Sequence, residues 1–562
     1  GAPAVRRSEL AEALRACRGA FVGVGLISCM INLLYLTGSM FMLQVYDRVL
    51  PSRSVPTLIA LSVLAIGLYV FQGLLEIVRS RLLVRLGARV DRRLMKAAHT
   101  AAIQLPLLGR PASEAKQAIR DVDTIRNCLA GQGPVAILDM PWMPLYVAFA
   151  FLLHPLLGWV VLGGAIVLIS LTVINEVLTK GPSERLVRSS ARRIAIADAS
   201  ARNAEVLSAM GFGDQLLRRF AEASVEHSAA HERLSGLAGS LSMFSKIFRL
   251  VLQSAMLGLG AYLAIRGEMS SGSIIAASIT ASRAFAPIEV AIANWKSFVA
   301  ARGAARRLNQ IFAATAAPQR ELDLPAPEQS IKLENLTLAI PGTQRAILNG
   351  ISFELRAGAA LAVIGPSAAG KSSLARAIVG IWPPAKGSVR IDGAALDQWT
   401  REKLGRHIGY LPQDVELFEG SIRDNIARFD KDPDSRQVLA AAQAAGVHEM
   451  ILRLPDGYET QLGEGGTALS AGQRQRIGLA RALYRDPFLV VLDEPNSNLD
   501  ADGEAALSAA IRSVCERKGI AIVIAHRPGV IAAVDSIAVL GNGQLTAIGP
   551  RDEILRKVIR PI

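Results

Sequence analysis

Apolar positions gather in six long runs: Gly19 to Val45, Pro56 to Val78, Pro134 to Leu153, Pro155 to Leu178, Ile247 to Ile265 and Gly272 to Val299. A helix needs about 20 residues to cross the hydrocarbon of a bilayer, and each run matches that length. A single run of this kind would suit a buried helix of a soluble protein; six do not. His154-Pro155 separates the third run from the fourth, and Arg283, Pro287 and Glu289 interrupt the sixth. Pro141 and Pro144 should kink the third span and Pro287 the sixth, because each removes a helix hydrogen bond. The connections alternate in length. Gln44 to Val55 and Arg266 to Ser271 are short, whereas Arg79 to Gly133 and Thr179 to Lys246 are long, polar and helix-favouring. The long segments read as extensions of the membrane helices. The range 313–330 carries Pro318, Pro325 and Pro327 and reads as a linker. From Ile331 onward the pattern changes to short buried strands, such as Leu361 to Ile364, Leu489 to Leu492 and Ile520 to Ile524, with helical stretches between them.

Charge orients these elements. The net charge is +14 over 562 residues, yet Ile331 to Ile562 holds 27 Lys+Arg against 26 Asp+Glu, so nearly all of the excess lies ahead of it. Arg79, Arg81, Arg85, Arg89, Arg92 and Arg93 crowd the start of the first long segment. The positive-inside bias therefore puts the long segments and both termini in the cytoplasm, with basic residues against anionic lipid. Basic residues that flank apolar runs argue against nucleic acid as a partner. Cys17, Cys29, Cys128 and Cys515 have no metal-ligand spacing. The first run is too long for a signal-peptide core and reads as a retained span.

The second half carries phosphate chemistry. The strand Leu361 to Ile364 runs into Gly365-Pro366-Ser367-Ala368-Ala369-Gly370-Lys371-Ser372, a complete G-x-x-x-x-G-K-[ST] match, and Ser373 opens a helical stretch. Glycines turn backbone N–H groups toward phosphates, and the helix N-terminus adds positive potential. Lys371 is expected on the β/γ-phosphates of ATP and Ser372 on Mg2+. The strand Leu489 to Leu492 ends in Asp493-Glu494. Asp493 is placed to hold Mg2+ and Glu494 to orient or deprotonate the attacking water.

Leu469-Ser470-Ala471-Gly472-Gln473 resembles the signature motif of ABC ATPases. Gln413 resembles the Q-loop glutamine, which touches both Mg2+ and the attacking water. Ser497 to Asp500 resembles the D-loop, and His526 the switch histidine. The resemblance implies that two such domains sandwich two ATP molecules, with Ser470, Gly472 and Gln473 of one copy meeting the γ-phosphate held by the other. A second copy of this chain is then the implied partner, as a twofold homodimer. Two departures stand out. Ala471 replaces a glycine with another small residue. Ile340 stands where relatives stack adenine on an aromatic ring, and it cannot stack in the same way.

Phe41 to Ser52, Arg120 to Arg126 and Asp139 to Pro144 resemble type I secretion system ABC transporters, nearest the alkaline-protease exporter (PrtD) type. Asn203 to Gly211 resembles their second cytoplasmic coupling region. Relatives with an N-terminal peptidase domain have a far longer lead than the stretch before the first run here. The implied fold is a membrane all-α six-helix exporter domain (1–312), a linker (313–330) and an α/β P-loop nucleotide-binding domain (331–562). The implied cargo is an unfolded polypeptide with a C-terminal signal. A periplasmic adaptor, an outer-membrane channel and membrane lipid are the further partners, with the chain in the bacterial inner membrane. Two other readings stay open: an exporter of lipids or amphiphiles, and an ATP-gated channel or regulator. Intact Glu494 and His526 argue against the second. Of the charges at membrane depth, Glu76, Asp139 and Arg249 divide evenly between interface and path, while Arg283 and Glu289 lean toward the path.

Overall fold

The computed structural model describes residues 9–315, 324–343, 345–466, 469–525 and 528–558. The chain divides into two compact units, one ending at Ala316 and one running from Ala317 to Ile562, the latter with the short piece Leu107–Arg110.

The first unit is all helix, and six of its helical stretches are long and apolar enough to cross a membrane: Arg18–Ser52, Val55–Leu107, Gly133–Leu153, Pro155–Arg202, Gly213–Ile265 and Ser271–Ala293. The second, fourth and fifth run on well past their apolar portions without a break. The third span breaks near its middle, as its prolines demand. An α-helix over Gly133–Asp139 passes through a 3-10 turn, Met140–Trp142, into Met143–Leu153, with Pro141 and Pro144 at the turn-opening positions. His154 then turns the chain with an extended backbone, and its Nδ1 accepts from the Leu156 N–H at 3.2 Å.

Two spans differ from expectation. The first is interrupted at Tyr35-Leu36, between Arg18–Leu34 and Thr37–Gln44. The sixth continues through Pro287 unbroken and ends at Ala293, short of Val299. Asn294 ends it: its Nδ2 donates to the Val290 carbonyl at 2.8 Å, the local competition that suits Asn to helix ends. A separate helix, Trp295–Thr315, follows and covers the start of the expected linker, while 316–323 lie outside the described residues.

Polar contacts decide how these spans pack. Arg79 and Asp139 are both buried. Arg79 Nη1 lies 3.0 and 3.2 Å from the two Asp139 oxygens and 3.1 Å from Ser28 Oγ. Asn32 Nδ2 donates to Asp139 at 2.8 Å, and Tyr146 Oη donates to Asn32 Oδ1 at 2.8 Å. A bilayer offers no water to unpaired charges, so such a pair sets the register of the first three spans. Beside it lies a cavity of about 450 Å³ lined in part by Tyr35, Glu76, Arg79, Asp139 and Arg283. Glu76 accepts from Tyr35 Oη at 2.9 Å, and the Arg283 guanidinium lies over the Tyr35 ring at 4.3 Å. Glu289 pairs with Arg249 of the preceding helix rather than with Arg283.

Two further carboxylates act as clips. Asp121 is fully buried on the helix Ala112–Ala130 and receives a two-pronged contact from Arg307, Nε at 2.9 Å and Nη2 at 2.7 Å. Asp47 accepts from Ser270 Oγ at 2.6 Å and from the Gly272 N–H at 3.0 Å, holding the start of the sixth span. A Cβ on Gly272 would come within 2.9 Å of the Leu43 carbonyl oxygen as well as 2.7 Å of Asp47 Oδ1, so a larger residue would disturb this joint.

The second unit is α/β. A four-stranded antiparallel sheet comprises Ser330–Ala339, Ala346–Arg356, Lys386–Ile391 and Ala394–Ala395. A six-stranded sheet runs in the order Gln544–Pro550, Ser536–Gly541, Ala360–Ile364, Ile520–Ile524, Leu489–Asp493, Ile408–Leu411, parallel except at its first edge. The central strands Leu489–Asp493 and Ile520–Ile524 are buried at every position, as strands covered on both faces must be.

Candidate functional site

Ligands of open parallel sheets sit beyond the carboxyl ends of the strands, and the site assembles there. The strand Ala360–Ile364 delivers the loop Gly365 to Gly370, and the helix Lys371–Ile378 starts where the loop ends. Gly365 has φ 152° and Gly370 φ 97°. A Cβ at Gly365 would stand 2.1 Å from the Leu540 carbonyl oxygen, so only glycine lets the loop turn there. Lys371 Nζ donates to the Gly365 and Pro366 carbonyls at 3.0 and 2.8 Å, which folds the loop around its own cation. Burial pushes the Lys371 ammonium below its ordinary range, opposed by Glu494 and Asp493.

The loop opens on a cavity of about 630 Å³. Ser367, Ala368, Gly370, Lys371, Ser372 and Ser373 line one end, with Gln413 and Glu494 beside them. Ile340, Arg345, Ile347, Asn542 and Gly543 also line it. Gly365, Pro366 and Ala369 shape the loop without lining this space. Gln413 Nε2 donates to Glu494 Oε2 at 3.2 Å, so the two residues meant for the attacking water stand together. Glu494 itself adopts φ 50°, a left-handed turn directly off the strand end.

Asp493 fits a cation. Ser372 Oγ donates to Asp493 Oδ1 at 3.1 Å, while Asp493 Oδ2 is buried with no hydrogen-bond partner among the described residues. Burial raises the Asp493 carboxyl, and the Ser372 hydroxyl opposes the rise. A buried carboxylate oxygen without a donor, beside a hydroxyl on the phosphate loop, is the donor set a hard divalent ion requires.

The signature residues stand elsewhere. Ser470 caps the helix Ala471–Leu483: its Oγ accepts from the Gln473 N–H at 3.2 Å, and Gln473 Oε1 accepts from the Ser470 N–H at 2.8 Å. This reciprocal pair is a capping box. Gly472 cannot be enlarged, since a Cβ would meet the Asn498 carbonyl oxygen at 2.6 Å. Ala471, which departs from the family pattern, is exposed. None of Ser470, Gly472 and Gln473 lines the cavity of its own chain. His526 lies outside the described residues.

One residue absent from the sequence reading ties these parts together. Gln475 is buried. Its Nε2 donates to the Glu494 carbonyl at 3.2 Å and to Ser497 Oγ at 3.3 Å, and its Oε1 accepts from the Asn498 N–H at 3.1 Å. The helix Ala471–Leu483 and the turn that follows the strand Leu489–Asp493 are therefore braced side chain to backbone. The only hint in the sequence was a polar residue on the apolar face of that helix.

Comparison with known proteins agrees with this geometry. Residues 348–497 match the ABC transporter family and residues 21–285 the ABC transporter transmembrane region. The chain is 51% identical over 556 residues to the type I secretion system ATP-binding protein PrsD of Rhizobium meliloti, covering 99% of this chain and 96% of that protein. It is 29% identical over 552 residues to the leukotoxin translocation ATP-binding protein LktB of Mannheimia haemolytica, covering 96% of this chain and 77% of that one. A bacterial Atm1-family ABC exporter with ATP bound superposes with a TM-score of 0.84 at 26% identity, over 96% of each chain. The chain belongs to the type I secretion system ATP-binding proteins of the ABC transporter family, ATPases coupled to transport that cross the inner membrane several times and keep their ATPase domain in the cytoplasm.

Proposed function

We propose that two copies of this chain form the ATP-driven exporter of a type I secretion system and move an unfolded polypeptide with a C-terminal signal out of the cytoplasm. Similarity to PrsD along essentially the whole chain carries this reading. The cargo passes to a periplasmic adaptor and an outer-membrane channel. ATP lies with its triphosphate on the loop Gly365 to Ser373. Lys371 exchanges its loop carbonyls for phosphate oxygens. Ser372, Asp493 and Gln413 would hold Mg2+, which offsets charge on the transferring phosphoryl group. Glu494 takes the proton of a water that Gln413 helps to orient, and His526 serves as the switch residue. A homodimer is favoured by one arrangement. The loop, Gln413 and Glu494 share a cavity, while Ser470, Gly472 and Gln473 of the same chain do not line it. A second copy bringing its signature helix to that cavity completes each site.

The test is reconstitution in lipid vesicles with a candidate secreted polypeptide, with Glu494→Gln as the inactive control. ATPase activity and protease protection of the cargo should both depend on its C-terminal segment. A response to lipids or amphiphiles with none to any such polypeptide would replace this reading with the amphiphile exporter.

A further inference from the structure

The lining of the ATP cavity differs in chemistry from one part to another. Lys371, Ser372 and Ser373 mark the triphosphate end. Toward Ile340, Arg345 and Ile347 the lining contains no Phe, Tyr, Trp or His. With the triphosphate on the loop, this part of the lining is what the cavity offers a purine base. The backbone puts two side chains together at that place. The strands Ser330–Ala339 and Ala346–Arg356 are antiparallel with Ala339 opposite Ala346. One step further, the Ile340 N–H donates to the Arg345 carbonyl at 3.2 Å. The connecting turn is closed by the Thr343 N–H on the Ile340 carbonyl at 2.9 Å and by the Arg345 N–H on Thr343 Oγ1 at 3.3 Å. Residues opposed across antiparallel strands project to the same face. Ile340 and Arg345 thus stand side by side at the cavity wall. Arg345 is exposed, and among the described residues its guanidinium has no ion-pair partner.

We propose that the Arg345 guanidinium is the flat surface on which the adenine ring of ATP packs, with Ile340 as its apolar neighbour. The proposal rests on the triphosphate lying at Lys371. A guanidinium is planar, weakly hydrated and attracted to π faces, whereas an aliphatic side chain offers contact area without a flat face. Arg345 is a positioning residue for the nucleotide and takes no part in phosphoryl transfer.

The experiment uses the full chain in lipid nanodiscs. Two quantities are measured: KM for ATP in the ATPase reaction, and Ki for inorganic tripolyphosphate as a competitive inhibitor. The variants are Arg345→Ala, Arg345→Lys and Arg345→Trp, with Lys371→Ala as reference. Loss of the planar guanidinium should raise KM for ATP about fivefold in the Ala and Lys variants, with kcat changed less than about twofold. Tripolyphosphate, which has no base, should inhibit all three Arg345 variants as it inhibits the wild type. Arg345→Trp should return KM to near the wild-type value, because it restores a flat face without a charge. An unchanged KM in Arg345→Ala, or a Lys variant as good as Arg, would overturn the proposal. So would a tripolyphosphate Ki that rises in parallel, since the arginine would then act on the phosphates. If tripolyphosphate does not compete in the wild type, the placement of the triphosphate is at fault rather than the role of Arg345.

Discussion

Replacing Asp139 with Ala strands a guanidinium among the membrane spans. Asp139 takes three donor contacts, two from Arg79 at 3.0 and 3.2 Å and one from Asn32 at 2.8 Å. Removing one partner of a buried pair costs roughly 3–5 kcal/mol, most of it the uncompensated charge left behind. Three features pull the cost toward the lower end. Arg79 keeps Ser28 Oγ at 3.1 Å, and it fronts a cavity of about 450 Å³ roomy enough for water. Asn32 keeps the Ser28 carbonyl at 2.8 Å. The expected loss is about 3 kcal/mol, read as a lower apparent melting temperature of the purified transporter in detergent. The double variant Arg79→Met with Asp139→Leu removes both charges and should recover most of that loss, since an apolar replacement of a buried pair is often neutral. With the single variants Arg79→Met and Asp139→Leu and the wild type, the double variant completes a double-mutant cycle whose coupling energy isolates the pair. The reasoning fails if Asp139→Ala melts with the wild type, or if the double variant is less stable than the single one.

Other consequences are simpler to state. Glu494→Gln should cut ATP turnover at least about 100-fold while equilibrium binding of ATP persists, because a general base contributes about that much; steady hydrolysis in this variant would move the role to another residue. Burial raises the Asp493 carboxyl, so protons compete with Mg2+ there at a higher pH than at an ordinary carboxylate. ATPase activity should fall on the acid side, and added Mg2+ should shift that fall to lower pH; an acid limb indifferent to Mg2+ would contradict the assignment. Arg307→Ala leaves the fully buried Asp121 without its two-pronged donor and should cost roughly 3 kcal/mol in thermal unfolding. Arg307→Lys should recover only part of that, since one ammonium cannot match a fork; full recovery would mean that charge alone suffices.

How far the sequence could be read depended on the range of the interactions involved. The spans follow from the thickness of a bilayer, and the phosphate loop from a local spacing, so Lys371, Ser372 and the bend at Met140–Trp142 were visible in short windows. Arg79 was counted among the basic residues that orient the chain. It is buried instead because Asp139, 60 positions later, meets it. Nothing near Arg79 announces that partner. Pro287 was expected to disturb the sixth span, yet the helix ends six residues later, where an Asn side chain captures a carbonyl. Arg283 and Glu289 were weighed together, whereas one stacks on Tyr35 and the other pairs with Arg249. Gln475 and Arg345 were missed for a related reason. Each is defined by a neighbour across a strand or beyond a helix, and single-sequence periodicity is blind to both.

The paired helices Pro155–Arg202 and Gly213–Ile265 behave as a lever. At a rise of about 1.5 Å per residue, the 53 residues of the longer one extend about 80 Å. The hydrocarbon accounts for about 30 Å, so about 50 Å of shaft stands outside it. The far tip is the short helix Ala204–Met210, which buries none of its residues. A push of about 4 Å on that tip tilts the shaft by about 5° at the bilayer, if the shaft stays straight. Through such an arm a displacement of a few ångström at the tip is enough to reorient two membrane spans together.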